Sequence, residues 1–183
     1  MHRLLRIAIA AAVVLAVATL AHGQIVATNT PSQVTGTWVH QVQVGPGFSV
    51  PALVTLHFDG TVTAAGGLMF GGLPGATNTT GPVHGVWEKT GPKSVDGTTF
   101  YFNFDMNGVL IGYGRDRWSL TFGKGFMNYQ GTEFLETVSC GFPLTCPDPL
   151  DPGTQWTALP GMPPNGYPVS GKRVQMVPAG PLP

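Results

Sequence analysis

Short turn sequences divide the chain into runs in which apolar and polar residues alternate. Asp59-Gly60 and Asn107-Gly108 favour tight β-hairpins, and Gly91-Pro92 and residues 123–125 mark two further breaks. The period of two between these breaks is typical of β-strands, and no run after the N-terminal leader has helical periodicity. Eight strands are predicted, at residues 36–44, 51–58, 61–66, 84–91, 98–106, 110–122, 125–138 and 169–177.

The succession of short hairpins predicts how these strands are arranged. An up-and-down antiparallel barrel is favoured, because closure removes both exposed sheet edges. A two-sheet sandwich has the same strand period and remains an alternative. The expected fold is therefore all-β, an eight-stranded antiparallel barrel over residues 35–177. Within it, residues 141–168 are dense in proline, which cannot donate to a β ladder, and should form an irregular crossing.

The N-terminus has the features of a secretory signal peptide. Two arginines precede an apolar run over residues 7–20, and the small residues Ala21 and Gly23 follow at the spacing of a cleavage site. The run is short for a spanning helix, although an uncleaved anchor remains the alternative. We expect a secreted or periplasmic protein without stable membrane insertion. Its outer segments would be a signal helix, a flexible stretch and a loose tail, at residues 1–23, 24–34 and 178–183.

Charge and cysteine content limit the partners. Without the leader, seven Lys and Arg remain against nine Asp and Glu, and the basic residues do not cluster. A nucleic-acid-binding surface is therefore not expected. Cys140 and Cys146 form an even pair, which in an exported protein predicts a disulfide that pins the start of the proline-rich crossing. Half of a metal site is the weaker alternative, since no histidine lies nearby; neither a metal nor another cofactor is expected.

A Gly-x-Trp pattern opens the first strand at Gly36 and Trp38, and Arg173 lies on the last. With the segments "LVTLHFDGTVT", "GPVHGVWEKTG" and "GKRV", it resembles small secreted bacterial proteins of lipocalin-like or calycin-like type. The resemblance implies that Trp38 plugs one end of a barrel and that Arg173 packs across its ring. It implies little chemistry, because that group has no settled activity. The chain also shows no C-terminal helix of the ordinary lipocalin kind.

Side-chain alternation predicts which residues face the barrel interior. If Trp38 points inward, His40 follows it, and Asp116 shares a face with Trp118. Three phenylalanines share one face of the fifth strand, and two amides share one face of the seventh. The predicted ligand contacts are His40, Phe100, Phe102, Phe104, Asp116, Trp118, Asn128 and Gln130. Apolar walls with a few hydrogen-bonding groups are typical of small-molecule pockets.

Simpler roles remain open for several of these residues. The phenylalanines can be plain core, because side chains alone can fill an eight-stranded barrel, and His40 can be a core or rim histidine. Trp87 and Val86 compete for the inner face of the fourth strand, which the sequence leaves undecided. Arg115 and Arg117 fall on the outward parity.

Three classes of function remain open. The leading hypothesis is an exported barrel that binds a small apolar ligand. A cyclase- or isomerase-type enzyme, by analogy with barrels related to allene oxide cyclase, would need an inward group of perturbed pKa, such as Glu88, Asp116 or His40. A secreted structural module with a filled barrel is the third. No nucleophile with its base is recognisable, so no catalytic residue is named and catalysis is not favoured.

Overall fold

The computed structural model describes residues 33–67, 69, 77–141 and 145–175. The predicted signal helix and tail lie outside these residues, as does most of the segment 24–34. Within the described chain, a 3-10 turn at Lys124–Phe126 lies between the seventh and eighth of ten strands. The strands are β1 (Gly36–Gly45), β2 (Phe48–Leu56), β3 (Thr61–Gly66), β4 (Asn78–Thr80), β5 (Val83–Lys89), β6 (Ser94–Asp105), β7 (Leu110–Phe122), β8 (Asn128–Ser139), β9 (Thr157–Ala158) and β10 (Tyr167–Arg173).

The sheet closes on itself. Neighbouring strands pair antiparallel in the order β1-β2-β3-β5-β6-β7-β8, and β10 pairs with both β8 and β1. The short strands β4 and β9 lie outside this cycle and pair with β6 and β8. A sandwich would leave open edges, so the closing β10 pairings exclude it. The predicted all-β, eight-stranded antiparallel barrel is confirmed. In the described part of the proline-rich crossing, β9 is the only strand before β10 begins at Tyr167.

The inner wall combines aromatic rings with glycines. On neighbouring strands, a ring lies directly opposite a residue that lacks a side chain. A Cβ atom at each of these glycines would lie only 2.1 or 2.2 Å from a ring atom, so the ring requires the glycine. The pairs are Gly97 with Trp118, Gly114 with Tyr101, and Gly171 with Tyr129.

One end of the barrel is closed around Trp38. Its side chain is fully buried, with ring centroids 5.1 Å from Phe122 and 5.2 Å from Tyr129. The Arg173 guanidinium lies 5.2 Å from the Trp38 ring centroid, which is the arrangement that the resemblance implies. Arg173 also donates hydrogen bonds to the carbonyl oxygens of Gln33, Thr35 and Phe126. Arg173 therefore ties the last strand to the segment that precedes the first.

The two cysteines are joined. A disulfide links Cys140 and Cys146, whose Cα atoms lie 4.3 Å apart, and a β-bridge pairs Gly141 with Thr145 inside the loop. The Cys140 amide also donates to the Ile111 carbonyl oxygen at 2.9 Å, which fixes the start of the loop to β7.

Removing this disulfide should destabilise the barrel moderately. Loop-closure entropy for so short a loop gives about 2 kcal/mol, so a Cys140→Ala/Cys146→Ala double variant should lose that much unfolding free energy. Urea denaturation measures the loss, and the oxidised and reduced wild-type protein should differ by the same amount. An unchanged midpoint in both comparisons would show that the surrounding hydrogen bonds alone order the loop.

Candidate functional site: a polar cluster in the barrel cavity

The barrel encloses a cavity of about 350 Å³. The cavity begins at His40, two residues along β1 from Trp38, and extends past Val42 to Val44. It therefore lies on the side of His40 away from the closed end. This volume lies within the range of small-molecule sites. The alternative of a barrel filled by its own side chains is wrong for this structure.

One half of the cavity wall is aliphatic. The strands β1 to β3 contribute β-branched and small side chains to it, because their inner positions are almost entirely valine and alanine. These side chains form no hydrogen bonds, so this half of the wall favours an apolar body. The aliphatic lining residues from these strands are Val42, Val44, Val50, Ala52, Val54, Val62 and Ala64.

The opposite half carries the polar groups. Asp116 on β7 is opposite Thr99 of β6 and Leu135 of β8 in the strand register, which makes Tyr101 and Glu133 its diagonal neighbours. Long side chains at such diagonal positions reach each other across a sheet. Two carboxyl groups and a phenol are thereby brought together inside the barrel.

His40 is held by this wall through both ring nitrogens. Its Nδ1 lies 2.6 Å from the Tyr129 hydroxyl oxygen, and its Nε2 lies 3.1 Å from Glu133 Oε2. Nε2–H donates to the Glu133 carboxylate whether the ring is neutral or protonated, while Tyr129 donates to Nδ1 when the ring is neutral. His40 lines the cavity, but its nitrogens are occupied by neighbours from β8.

Asp116 hydrogen-bonds to Tyr101 and Glu133, but one of its two oxygen atoms is left unpaired. Its Oδ1 atom is buried and has no hydrogen-bond partner among the described residues. Burial first, and then the charge of Glu133, raises the pKa of Asp116 well above its usual range, although the Tyr101 hydroxyl opposes this. The pKa of the Tyr101 phenol is raised too, by burial and then by the nearby Asp116 charge. Asp116 should therefore keep a proton at pH values at which a surface aspartate is ionised.

The arginines that flank Asp116 in sequence point away from it. Arg115 and Arg117 lie on the outer face of β7, and both bind the Glu136 carboxylate, at 2.8 and 2.9 Å. Arg115 also stacks on the Trp156 ring, with its guanidinium carbon 4.4 Å from the centroid. The outward placement expected for the two arginines is therefore found. As a result, neither guanidinium group compensates the charge of the carboxyl groups inside the cavity.

Three of the predicted contacts are in the cavity wall, and five are not. His40, Asp116 and Trp118 line the cavity. The other five point outward, so the prediction that they face the interior is wrong. On β6 the inner positions are the alternate ones, including Thr99 and Tyr101; on β8 they include Tyr129 and Glu133. The misplaced residues are Phe100, Phe102, Phe104, Asn128 and Gln130.

The prediction for the β6 phenylalanines was wrong because their side chains pack against apolar neighbours on the outer face of the barrel. Phe100 packs against Trp156 of the proline-rich crossing, with ring centroids 6.0 Å apart. Phe102 is 47% exposed and contacts the Phe104 and Tyr113 rings. An outer face covered by other segments is apolar too, so hydrophobic alternation alone selects the wrong side.

Sequence reasoning missed Tyr101, Tyr129 and Glu133. A usable signal was present, because Gly97 shares its strand face with Tyr101, and Gly131 shares its face with the other two. An interior glycine in a strand often marks a close approach of a neighbouring group. Interpreting these glycines as points where a neighbouring strand comes close, at Trp118 for Gly97 and at Ser119 for Gly131, would have selected the correct faces.

The sequence left open which face of β5 points inward, and Trp87 decides it. Its ring is buried, and Nε1–H donates to the carbonyl oxygens of His57 and Thr61 at 3.1 and 3.0 Å. Val86 is 61% exposed, and Glu88 shares the exposed face. Glu88 is therefore not an inward carboxylate.

Comparisons with known proteins add no assignment. No protein-family model, curated protein or solved structure matches this chain. Among the residues that the structure places, no group of three or more His, Cys, Asp or Glu is arranged to hold a metal ion. The same part of the chain contains no helix long and apolar enough to span a membrane.

Proposed function

We propose that the protein is an exported, lipocalin-like barrel that binds a small, largely apolar molecule in its cavity. The observation that carries this proposal is the 350 Å³ space with an aliphatic half and a polar half. An apolar body against β1 to β3 and a polar group against Asp116 would use both halves.

The compartment is part of the proposal. A disulfide between Cys140 and Cys146 supports an oxidising environment, because cytosolic proteins are kept reduced. The Trp38–Arg173 contact and the closed antiparallel barrel support the lipocalin-like assignment. We propose the periplasm or the extracellular medium as the site of action, with neither nucleic acid nor membrane as a partner.

An isomerase- or cyclase-type activity is the second candidate. Asp116 is an inward carboxyl group of raised pKa in a cavity, which is the arrangement that such chemistry needs. Tyr101 beside it could donate a second hydrogen bond to a substrate carbonyl. Binding without turnover in the wild-type protein would remove this candidate and leave the first intact.

A cavity-filling variant tests the binding proposal. Ala64 on β3 lines the cavity, whereas its neighbour Ala65 is exposed on the outer face. The wild-type protein should bind N-phenyl-1-naphthylamine, with a rise in its fluorescence. Ala64→Phe should weaken that binding at least tenfold, because the added ring occupies the aliphatic half of the cavity.

The matched control is Ala65→Phe, which adds the same ring to the outside of the same strand and should leave binding unchanged. Equal effects of the two variants, or no binding by the wild-type protein, would contradict binding inside the barrel.

A further inference from the structure

The polar half of the cavity contains more acidic than basic side chains. Two carboxyl groups, Asp116 and Glu133, face one histidine, His40. No lysine or arginine is among the described residues of the lining. The nearest arginines in sequence to Asp116 are bound to Glu136 on the outer face. A carboxylate ligand would therefore lie beside two carboxyl groups without a lysine or arginine to compensate its charge.

One oxygen atom of Asp116 also lacks a hydrogen-bond donor. Its side chain lines the cavity, the residue is 9% exposed, and Oδ1 has no partner among the described residues. Buried polar atoms are almost always hydrogen-bonded, so an unpaired one needs a cause. His40 cannot supply the donor in this arrangement, because its two nitrogens meet Tyr129 and Glu133. A donor carried by a ligand would meet the need.

Aromatic rings surround the same space. Tyr101, Trp118, Tyr129 and Tyr167 all line the cavity. A cation near a ring face is attracted by the ring quadrupole, and the attraction is strongest where water is excluded. Carboxyl groups and ring faces together favour a positively charged group over a hydroxyl group, which could satisfy Oδ1 but would not compensate charge.

We propose that the ligand is an organic cation, a protonated amine on an apolar body, whose ammonium group lies between Asp116 and Glu133. This inference rests on the proposed function, since it names the chemistry of the molecule in the same cavity. The ammonium donates to the unpaired Oδ1 of Asp116, and the apolar body lies against the valines of β1 to β3.

Binding of this kind is coupled to proton release. The titratable groups that face Asp116 are Glu133 on β8 and Tyr101 on β6, with His40 of β1 and Tyr129 behind Glu133. In the empty barrel Asp116 keeps its proton to a higher pH than a surface aspartate does, because burial and Glu133 raise its pKa. An ammonium ion beside it favours the ionised carboxylate, so that proton leaves for the solvent as the amine enters. A neutral ligand requires no such release.

Three probes with the same flexible body test the proposal: octylamine, 1-octanol and octanoate. Isothermal titration calorimetry of the oxidised mature protein near neutral pH should show octylamine binding at least tenfold more tightly than 1-octanol, and no binding of octanoate. In buffers of different ionisation enthalpy, the octylamine heat should report release of up to one proton per molecule bound.

Two variants test whether the preference for octylamine depends on Asp116. Asp116→Asn should reduce octylamine affinity at least tenfold and abolish the proton release. Its effect on 1-octanol affinity should be clearly smaller, because only octylamine loses an ionic partner. Asp96→Asn is the matched control, because Asp96 lies on β6 outside the cavity lining, and it should change none of these.

The outcomes separate the two proposals. Equal binding of 1-octanol and octylamine would overturn the cation and leave a binding cavity in place. Failure of all three probes would also overturn it, while uptake of the naphthylamine probe independently decides whether the cavity binds anything. An amine preference that survives Asp116→Asn would contradict the assignment to this carboxyl group.

Discussion

Replacing Trp38 with alanine is expected to lower the free energy of unfolding by about 3–5 kcal/mol, which is the usual cost of removing a fully buried large aromatic side chain. The ring is 0% exposed and packs against Phe122 and Tyr129. Its loss would also remove the surface on which Arg173 lies. Urea denaturation followed by circular dichroism measures the change.

Two further variants serve as comparisons for Trp38→Ala. Trp156→Ala removes a tryptophan that packs on the outer face against Phe100 and Arg115, and it should cost clearly less. Trp38→Phe keeps part of the buried ring and should remain folded even if the alanine variant does not. If Trp38→Ala costs no more than Trp156→Ala, Trp38 does not stabilise the closed end as described.

The second large effect is a dependence of stability on pH that originates at Asp116. Its pKa is raised in the folded barrel, by burial first and then by Glu133. Above about pH 4, the unfolded chain releases this proton while the folded barrel keeps it. Stability therefore falls as pH rises from that value to the folded pKa, by up to about 1.4 kcal/mol per pH unit from this group.

Asp116→Asn should remove this dependence. The variant is expected to be more stable than the wild-type protein above pH 5, with an advantage that grows until the pH reaches the folded pKa of Asp116. Urea denaturation of both proteins from pH 5 to pH 9 measures the difference. Asp96→Asn provides the control, because it makes the same substitution at an aspartate outside the cavity lining.

Other shifted groups act outside this window. Partial burial acts to raise the pKa of Glu136, but hydrogen bonds from Arg117 and Arg115 prevail and lower it, so its contribution is lost only in acid. The pKa values of Tyr101 and Tyr129 are raised, chiefly by burial, and matter only in strong alkali. A constant difference between wild type and Asp116→Asn from pH 5 to pH 9 would show that Asp116 is ionised in the folded barrel.

The barrel was predictable because local signals agreed. Turn dipeptides set the strand limits, alternation set the strand type, and Gly36, Trp38 and Arg173 marked the closing strands. On β7 the inner face was also predictable, because Arg115 and Arg117 occupy the opposite parity from Asp116. The two arginines mark the outer face, and the large apolar side chains that share the parity of Asp116 mark the inner face.

The polar cluster in the cavity was harder to predict from the sequence than the barrel, for a physical reason. Outer-face apolar residues such as Phe100 are covered by the proline-rich crossing, whose position depends on long-range contacts. The inner face of β6 instead contains Gly97, Thr99 and Tyr101, which is less hydrophobic than the outer one. The meeting of Asp116 with Glu133 further depends on the β7–β8 register, and strand alternation does not specify that register.

Native mass spectrometry of the mature protein, purified from the exported fraction of its own host, tests most directly whether the cavity holds a ligand. We predict a mass above that of the oxidised polypeptide, and we expect denaturation to release the excess as a small molecule that carries a basic amine. A bare oxidised mass from repeated mild preparations, together with failure to take up the naphthylamine probe, would contradict a binding function for the barrel.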